Sequence, residues 1–551
     1  MTRGDSMESW EVNALKAVKD LPFAEIVMEI RDGSSSSARS DNSSRTGFAG
    51  KIISYKWSRL FWNRWFRKYG KVDATRKFDH FGNNPPPKIF DNVPCHTMIP
   101  ELKGKYSQHF SDNDLEIIRW HKPDVILRFG FNILRGEILT VAKHGVWSYH
   151  HADHEAIRGG PAGFWEYILG HNITGAVLQR LTEKLDDGII LRKGYWPVVK
   201  HSFRENLDNL LNYSSGWMAN ALTEIHHHGE VKPQNPGKKS SAKVYSYPGN
   251  FRMIQFWFIL FGNKIAFHWR NLFCPETWQI GIIDQPVGQV ISDGILKDIR
   301  WLRAKRNDSY LADPFSIQMN GKSVIIAEYY SGEKQKGYIV NAENEEILLE
   351  RDYHLSFPLP VEIDGTHYLL PEMSASGTSK FFRLNGSTES FTCLDAPLVD
   401  PVLLHHNERW WLFAHRSDDQ NNSALFVYHS DNPLNGFTAH ALNPVKTDIR
   451  NSRPAGAIIN LDGKLIRPAQ DSAETYGNAI VFNEILELTP TSYSEKAVKR
   501  VEPNEHWDYN KGIHTISAHG NKTLIDAKSF RFNFANFRAQ LKRKTGRIAG
   551  R

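Results

Sequence analysis

The sequence predicts two units of different class, an α/β unit built on a parallel sheet and, after it, an all-β five-bladed propeller. Three observations carry this. Between Ser111 and Ile225, apolar strand-like runs alternate with helix-like stretches, the pattern of strands whose crossovers cover both faces of a parallel sheet. After residue 280 the chain changes to short strands and tight turns, and five of its segments align on one another. At 551 residues it is also too long for one ordinary core. The expected boundaries are 1–230 for the α/β unit with a disordered insertion at about 33–47, 231–277 for a linker with an aromatic helix, 278–530 for the propeller and 531–551 for a basic tail.

Trp10, Val12, Leu15, Val18 and Leu21 follow roughly helical spacing, and "FAEIVMEI" then reads as a buried strand. "GSSSSARSDNSSRTG" and "NNPPPK" are breaks, and Trp57 to Tyr69 between them is aromatic and basic. "SDNDLEIIRWHKPD" has an N-cap serine before an amphipathic helix, "DVILRFGF" is a continuous apolar strand, and "RGEILTVAKHG" is a short helix closing on glycine. "VWSYHH" follows as a strand, "GPAGFWEYILG" as a helix, "TGAVLQRLTEKLDDG" as a pair of strands with a turn, and Arg204 to Ile225 as a helix.

The five alignable segments are "ADPFSIQMNGKSVIIAE", "SFPLPVEIDGTHYLLPE", "VDPVLLHHNERWWLFAH", "RPAGAIINLDGKLIRPAQD" and "GIHTISAHGNKTLIDAK". Pro314, Pro358 and Pro401 each stand six residues before the turn residues Asn320, Asp364 and Asn407, and Gly456 and His514 take that place before Asp462 and Gly520. Turns 44, 43, 55 and 58 residues apart suit four-stranded blades, and Asn-Gly and Asp-Gly suit two-residue hairpins. Innermost strands of a propeller converge on its axis, which makes Asp313, Glu328, Glu372, Asp400, Arg453, Gln470, Asp471, Glu474 and His514 candidates for one polar, substrate-binding pocket. A glycosidase needs two carboxylates flanking the bond, for which Asp313 with Glu372 or Asp400 would serve; the same lining suits a propeller that only binds. Of Trp410 and Trp411, on adjacent strand positions, at least one belongs to the core. Phe251 to Arg270, aromatic and interspersed with basic residues, is read as interdomain packing, with an interfacial helix as the alternative.

Cys95, Cys274 and Cys393 lie far apart without CxxC spacing, which argues against a disulfide framework or a thiolate zinc site. No secretory signal is visible, and the apolar run "MIQFWFILF" has about half the length that crosses a bilayer. The net charge of +7 resides in the segment from Phe530 on, so a uniformly basic nucleic-acid surface is not indicated. That tail is read as a solvated end, with contact to an anionic membrane as the alternative. A cytoplasmic protein is expected, either free or peripheral to the inner face of the membrane.

The most chemically loaded stretch is "GVWSYHHADHEAIRGGPAGFW", Gly145 to Trp165. Alternation along "VWSYHH" puts Ser148 and His150 on one face and Tyr149 and His151 on the other, so the two histidines do not readily share a metal, and none is expected. Ser148 and His150 point together off the carboxyl end of a strand, where open parallel sheets place their sites. A lone strand histidine is otherwise a core residue, and Asp-Asp-Gly a turn. The arrangement resembles the 10-formyltetrahydrofolate-dependent formyltransferase family, which has an Asn-x-His pair at a strand end, an Arg-Gly, a helix and an Asp-x-Gly loop. Here His150, Arg158-Gly159, "GFWEYILGHNITGAVL" and Asp186-Asp187-Gly188 follow in that order, Asp186 coming 36 residues after His150. Two departures stand out: Ser148 replaces the asparagine, and the family's opening strand is absent, leaving a start upstream or a sheet short of an edge.

The resemblance implies that His150 stabilises the oxyanion, that Asp186 keeps His150 protonated and takes the amine's proton through water, and that Ser148 donates one hydrogen bond. Arg158 would fix the loop. His151 and Asp153, with His154 and Glu155, would line the acceptor pocket, and Phe129, Leu134, Leu185 and Asp187 would bind 10-formyltetrahydrofolate. The hairpins resemble the propeller at the amino end of plant glucosamine inositolphosphorylceramide transferases and, more distantly, five-bladed glycoside hydrolases, through "ADPF", "FPLP", "VDPV", "RWWLFAH", "GKLIRPAQDSAETYG" and "IHTISAHG". Together these imply formyl transfer to the amine of a nucleotide-linked or lipid-linked amino sugar. The alternatives are a silent formyltransferase fold with a glycan-binding propeller, or a glycosidase or glycosyltransferase site in the propeller.

Overall fold

The computed structural model describes residues 1–3, 6–34, 58–69, 71–79, 89–104, 106–184, 187–234, 240–319, 321–384, 389–419, 421–533 and 537. The insertion from residue 35 on, the hairpin residue Asn320, the loop residues Leu185 and Asp186, and the tail beyond 537 lie outside them. The chain divides into two compact units, Met1–Lys264 and Ile265–Arg551.

In the first unit the strands that position the site are β1 (Glu29–Asp32), β2 (Cys95–Met98), β3 (Ile126–Arg128), β4 (Val146–His150), β5 (Ile157–Gly159), β6 (Ile173–Arg180), β7 (Ile189–Pro197) and β8 (Lys243–Tyr245). The helices are α1 (Ser9–Lys19), α2 (Leu60–Tyr69), α3 (Asp112–Trp120), α4 (Phe164–Leu169), α5 (Phe203–Ser214), α6 (Trp217–His228) and α7 (Asn250–Phe273), the last continuing into the second unit. The sheet order is β7–β6–β4–β3. β3 and β4 run parallel, as expected, but β6 is antiparallel to both β4 and β7, so the sheet is mixed. The link from β6 to β7 is too short for a crossover, and it makes a hairpin instead.

Beyond β3, Met1 to Arg3 lie between β3 and the parallel pair β1–β2. The Met1 amine donates to the Leu127 carbonyl at 2.8 Å, and the Met1 carbonyl accepts from Phe129 N at 2.9 Å. Thr2 N donates to the Ile30 carbonyl at 2.8 Å. Three residues thus stand where the resemblance puts an opening strand. Gly130 permits the approach, because a Cβ there would meet the Thr2 backbone at 2.7 Å.

The α3 N-cap is the expected serine: Ser111 Oγ accepts from Asp114 N at 3.2 Å. The helix expected over Arg204–Ile225 is two helices parted at Ser215–Gly216, and the Tyr149 hydroxyl explains the break. It donates to the Ser215 carbonyl at 2.8 Å and accepts from Met218 N at 3.3 Å, meeting backbone groups that a continuous helix would pair internally. The segment 231–277 is not a free linker: β8 pairs in parallel with β5, and Met253 and Phe256 of α7 are buried in the core of the first unit.

The second unit holds five antiparallel sheets among the described residues. Four lie in succession, with strands between Tyr310 and Leu349, Ser356 and Leu394, Leu398 and Thr447, and Ile459 and Val501. The fifth joins both ends of the region, ordering Ile299–Leu302, Glu276–Ile283, Lys522–Phe530 and Ile516–His519. Four sheets have four strands, and the third carries a fifth strand off its edge. All five expected hairpins are present. Three of their turns have the left-handed backbone of type I′ at both central residues, with φ of 49° and 71° at Asp364-Gly365, 51° and 58° at Asn407-Glu408 and 51° and 81° at Asp462-Gly463.

The first strands of the first three sheets share a second device. Asp313, Phe357 and Asp400, each before a proline, have φ of 51°, 45° and 48°, and the pairing register shifts at each. A proline has no N–H for the ladder, so the strand bulges around it. Because Phe357 carries the same strain as the two aspartates, the strain belongs to the repeat and is not a mark of chemistry.

Candidate functional sites

At the carboxyl end of β4, His150 is half-buried with Nε2 3.5 Å from the Ile157 carbonyl. Ser148, two residues before it on the same face, is 3 % exposed, and its hydroxyl oxygen accepts from Arg128 Nη1 at 2.9 Å. Arg128 is the direct neighbour of Ser148 in the parallel register, and its other amino group donates to the Phe131 and Asn132 carbonyls at 2.8 and 2.7 Å. Burial pushes this guanidinium down to about 10, so it is a cation at neutral pH. This changes the expected role of Ser148: its oxygen is an acceptor for Arg128, and the cationic donor beside His150 is the arginine.

The other expected residues divide. His151 is packed edge-on to Trp10 at 4.8 Å and stacked on Tyr149 at 5.6 Å, and burial pushes it down to about 3, which makes it a neutral core residue. Asp153 accepts from Glu155 N at 3.1 Å, and both carboxylates pair with Lys193, at 3.4 and 3.0 Å. Arg158 Nη1 donates to the Ala242 carbonyl at 3.3 Å, fixing the loop beside the β5–β8 pair, where the Gly159 φ of 88° and the adjacent Tyr245 carbonyl leave no room for a side chain. Phe129 and Leu134 are buried in two separate apolar cores, and Phe129 also lines a cavity of about 380 Å³ with Leu15, Val18, Ile30 and Leu127. The Asp187 carbonyl accepts from Thr182 Oγ1 at 3.2 Å. Arg128 Nε, His151 Nε2 and His154 Nδ1 are buried without a hydrogen-bond partner, a concentration of unmet polar atoms next to His150.

The second cluster links all five sheets. Asp526 Oδ1 accepts from His514 N and Thr515 N at 3.0 and 2.9 Å, and its Oδ2 accepts from Asp313 N at 2.9 Å. Asp313 accepts from Thr515 Oγ1 at 2.5 Å and from Phe357 N at 3.1 Å. Arg453 donates from Nε and Nη2 to Asp400 at 2.5 and 3.2 Å and lies 3.7 Å from Glu372, while Gln470 Nε2 donates to Asp400 at 2.7 Å. Ile516 N donates to the Ala455 carbonyl at 2.8 Å, joining the fourth sheet region to the fifth.

Burial, then the charges of its neighbours, sets the protonation of these groups. Burial and Asp400 push Glu372 up to about 8 against the opposing pull of Arg453. Burial, Asp526 and Asp400 push Asp313 up to about 6 although His514 opposes them. Glu328 lies well above the carboxylate range through burial and the acids around it. Burial alone would lower His514, but Asp526 and Asp313 hold it above its ordinary value. Asp313, His514 and Asp526 bring ligand atoms within 4.8 Å of one another, yet all four carboxylate oxygens already accept hydrogen bonds, so we read the trio as a structural tie between sheets.

Asp313 therefore does not make an available partner for Glu372. Glu372 and Arg453, with side chains 14 % and 11 % exposed, form the more open part, and the Arg453 guanidinium lies 5.0 Å over the Tyr476 ring. Asp471 is elsewhere engaged, with Arg500 at 2.9 Å, and Glu474 is exposed in the turn that follows it. Of the tryptophans, Trp411 is 3 % exposed, and Trp410 stacks on His405 at 4.5 Å. Sequence reasoning missed Arg128, Asp526, His415, buried with Nδ1 3.0 Å from the Ala424 carbonyl, and Lys528, buried with Nζ 3.1 Å from the Glu276 carboxylate. The last two stand at the repeat position of Glu328, Glu372 and Gln470, a register that would have found them.

Parts of the chain are similar to known proteins. The family described as glucosamine inositolphosphorylceramide transferase 1, N-terminal, matches residues 312–520. The transferase of that name from Oryza sativa subsp. japonica is 26 % identical over 208 residues, 34 % of this chain and 28 % of its own length. The chain is also similar to the bifunctional polymyxin resistance protein ArnA of Wigglesworthia glossinidia brevipalpis, 32 % identical over 143 residues, covering 24 % of this chain and 22 % of that protein. Methionyl-tRNA formyltransferase of Chlorobium chlorochromatii is 27 % identical over 119 residues, 22 % of this chain and 37 % of that enzyme. Among solved structures, the sugar 3N-formyltransferase WlaRD overlaps 44 % of this chain and 68 % of its own with 12 % identity and a TM-score of 0.27. The α-L-arabinanase of Cellvibrio cellulosa overlaps 34 % and 77 % with 15 % identity and a TM-score of 0.26. The chain thus spans well under half the length of the curated relatives it matches.

Proposed function

We propose that the protein transfers a formyl group to the amine of an amino sugar at the His150 site, and that the five sheets of the second unit close as a five-bladed propeller that holds a sugar. The observation that carries the first part is the placement of His150 and the Arg128–Ser148 contact on one face at the end of β4, with Arg128 Nε buried there without a hydrogen-bond partner. A carbonyl-rich ligand would meet that deficit. Bound 10-formyltetrahydrofolate supplies the formyl group that the amine takes. His150 would donate a hydrogen bond to the carbonyl oxygen on which negative charge grows, with the Arg128 positive charge about 7 Å away along the strand. Asp186 would accept through water the proton that the attacking amine loses and return it to the folate nitrogen as its bond to the formyl carbon breaks.

The test is formyl transfer measured with a panel of amino sugars, nucleotide-linked and lipid-linked, for the full chain and for His150→Ala. Turnover that falls at least about 100-fold in the variant supports the reading, and no turnover on any sugar of the panel by the native chain removes it for that panel.

A second reading places chemistry in the propeller. Glu372 holds a proton at neutral pH beside the Asp400–Arg453 ion pair and so would serve as the acid of glycoside cleavage, whose second carboxylate has to stand about 5–9.5 Å away across the bond. Release of sugar from aryl glycosides that is lost in Glu372→Gln distinguishes it from a binding role.

A further inference from the structure

α7 has two apolar faces, of which only one is covered. Met253 and Phe256 are buried in the core. At roughly 100° per residue, the opposite side carries Phe251, Ile254, Phe258, Phe261, Ile265 and Trp269 within an arc of about 80°, a stripe some 27 Å long at 1.5 Å per residue. Phe251, Phe258 and Phe261 are 77 %, 74 % and 66 % exposed, and Ile265 and Trp269 are 54 % and 56 % exposed. Scattered single exposures of this kind are ordinary on protein surfaces, but a continuous stripe is not.

The flanks decide what covers it. Arg252 and Arg270 stand on one side of the stripe and Lys264 and His268 on the other, all exposed, and the helix contains neither Asp nor Glu. α2 lies against α7 through Phe61 and Trp257, with ring centroids 5.4 Å apart, and through Trp65 and Phe256 at 5.0 Å. It adds Arg64, Arg67 and Lys68, exposed and again without an acid. Two copies of the chain pairing by the stripe would bring these basic flanks together with no acid to offset them. A surface with an apolar interior beneath negatively charged headgroups meets both requirements. α7 is not apolar enough to cross it, since no described helix of the chain qualifies as a membrane span.

We propose that α7, supported by α2, is an interfacial helix that lies in the plane of an anionic bilayer, with Phe258 and Phe261 inserted below the headgroups and the basic residues at headgroup level. This stands apart from the functional reading above, because neither the His150 site nor the Asp400 cluster enters it.

The test is co-sedimentation of the full chain with phosphatidylcholine vesicles with and without phosphatidylserine. Binding should require phosphatidylserine and weaken as salt is raised. The double variant Phe258→Ser with Phe261→Ser should lower the partition coefficient at least roughly tenfold, and Lys264→Glu by roughly fivefold or more. All three side chains are exposed, so the folded state is retained, as the unfolding transition will verify. No sedimentation with either vesicle, equal binding to both, or a concentration-dependent dimer abolished by the double variant in place of vesicle binding would each overturn the proposal.

Discussion

Around His150 the charged side chains pair locally: Arg128 with Ser148, Arg158 with a loop carbonyl, and Asp153 and Glu155 with the one Lys193. In the second unit the acids are pooled: burial raises Asp313, Glu328 and Glu372, and the neighbouring carboxylates, Asp400 among them in each case, raise them further. The difference teaches how a buried cluster divides its labour. Where charges pair locally, removing one affects only those contacts; where charges are pooled, the same oxygens fix the strands and set the acid strength.

The sharpest way to break this contrast is Asp400→Ala. It strips Arg453 of two hydrogen bonds and Gln470 of one and leaves a buried guanidinium uncompensated, which should cost about 3–5 kcal/mol of stability. Denaturant unfolding followed in the second unit should show the loss, with the first unit's transition unmoved. His150→Ala should do the opposite, lowering formyl transfer about 100-fold, equivalent to about 2.7 kcal/mol, with unchanged unfolding. Ser148→Asn comes next. Its larger amide must fit a site that is 3 % exposed and displace Arg128, so about 1–3 kcal/mol of stability should be lost, without the rate gain an added donor would give at an open site. Thermal unfolding and turnover of the same variant check both halves.

The most gradual effect concerns pH. Glu372 has its folded value raised from 4.5 to about 8, so the native chain keeps a proton that the unfolded chain releases. Stability of the second unit should therefore fall as pH rises from about 4.5 to about 8, by at most about 1.4 kcal/mol per pH unit, and Glu372→Gln should flatten that slope. A slope unchanged in the variant would assign the proton to another member of the pool.

The five hairpins were legible because their signals are local, alternation along each strand and Asn-Gly or Asp-Gly at three of the turns. Less legible was what depends on distant segments. Asp526 occupies a repeat position that is Ile326, Leu370, Phe413 and Pro468 in the other copies, so alignment alone marks it as core. Arg128 sits within an apolar run, and its contact with Ser148 depends on a parallel register that no local pattern states. His151 read as a pocket residue by composition, whereas Trp10, from the first helix, covers it. The sheet was read as parallel because alternation of strand and helix does not show direction; the short β6–β7 link did.

The fifth sheet has a consequence for how the protein is made. Its strands Glu276–Ile283 and Ile299–Leu302 emerge from the ribosome well before Lys522–Phe530, to which Glu276–Ile283 must pair from Glu276 opposite Phe530 to Ile283 opposite Thr523. At translation rates of about 5–20 residues per second, that edge waits on the order of 10–50 s for its partner. During the wait Ile280 and Ile282, buried in the finished sheet, lack their cover, and an open strand edge is a template for pairing with another nascent chain. Polysome spacing and chaperone supply, rather than the thermodynamic stability of the finished molecule, would then govern its yield.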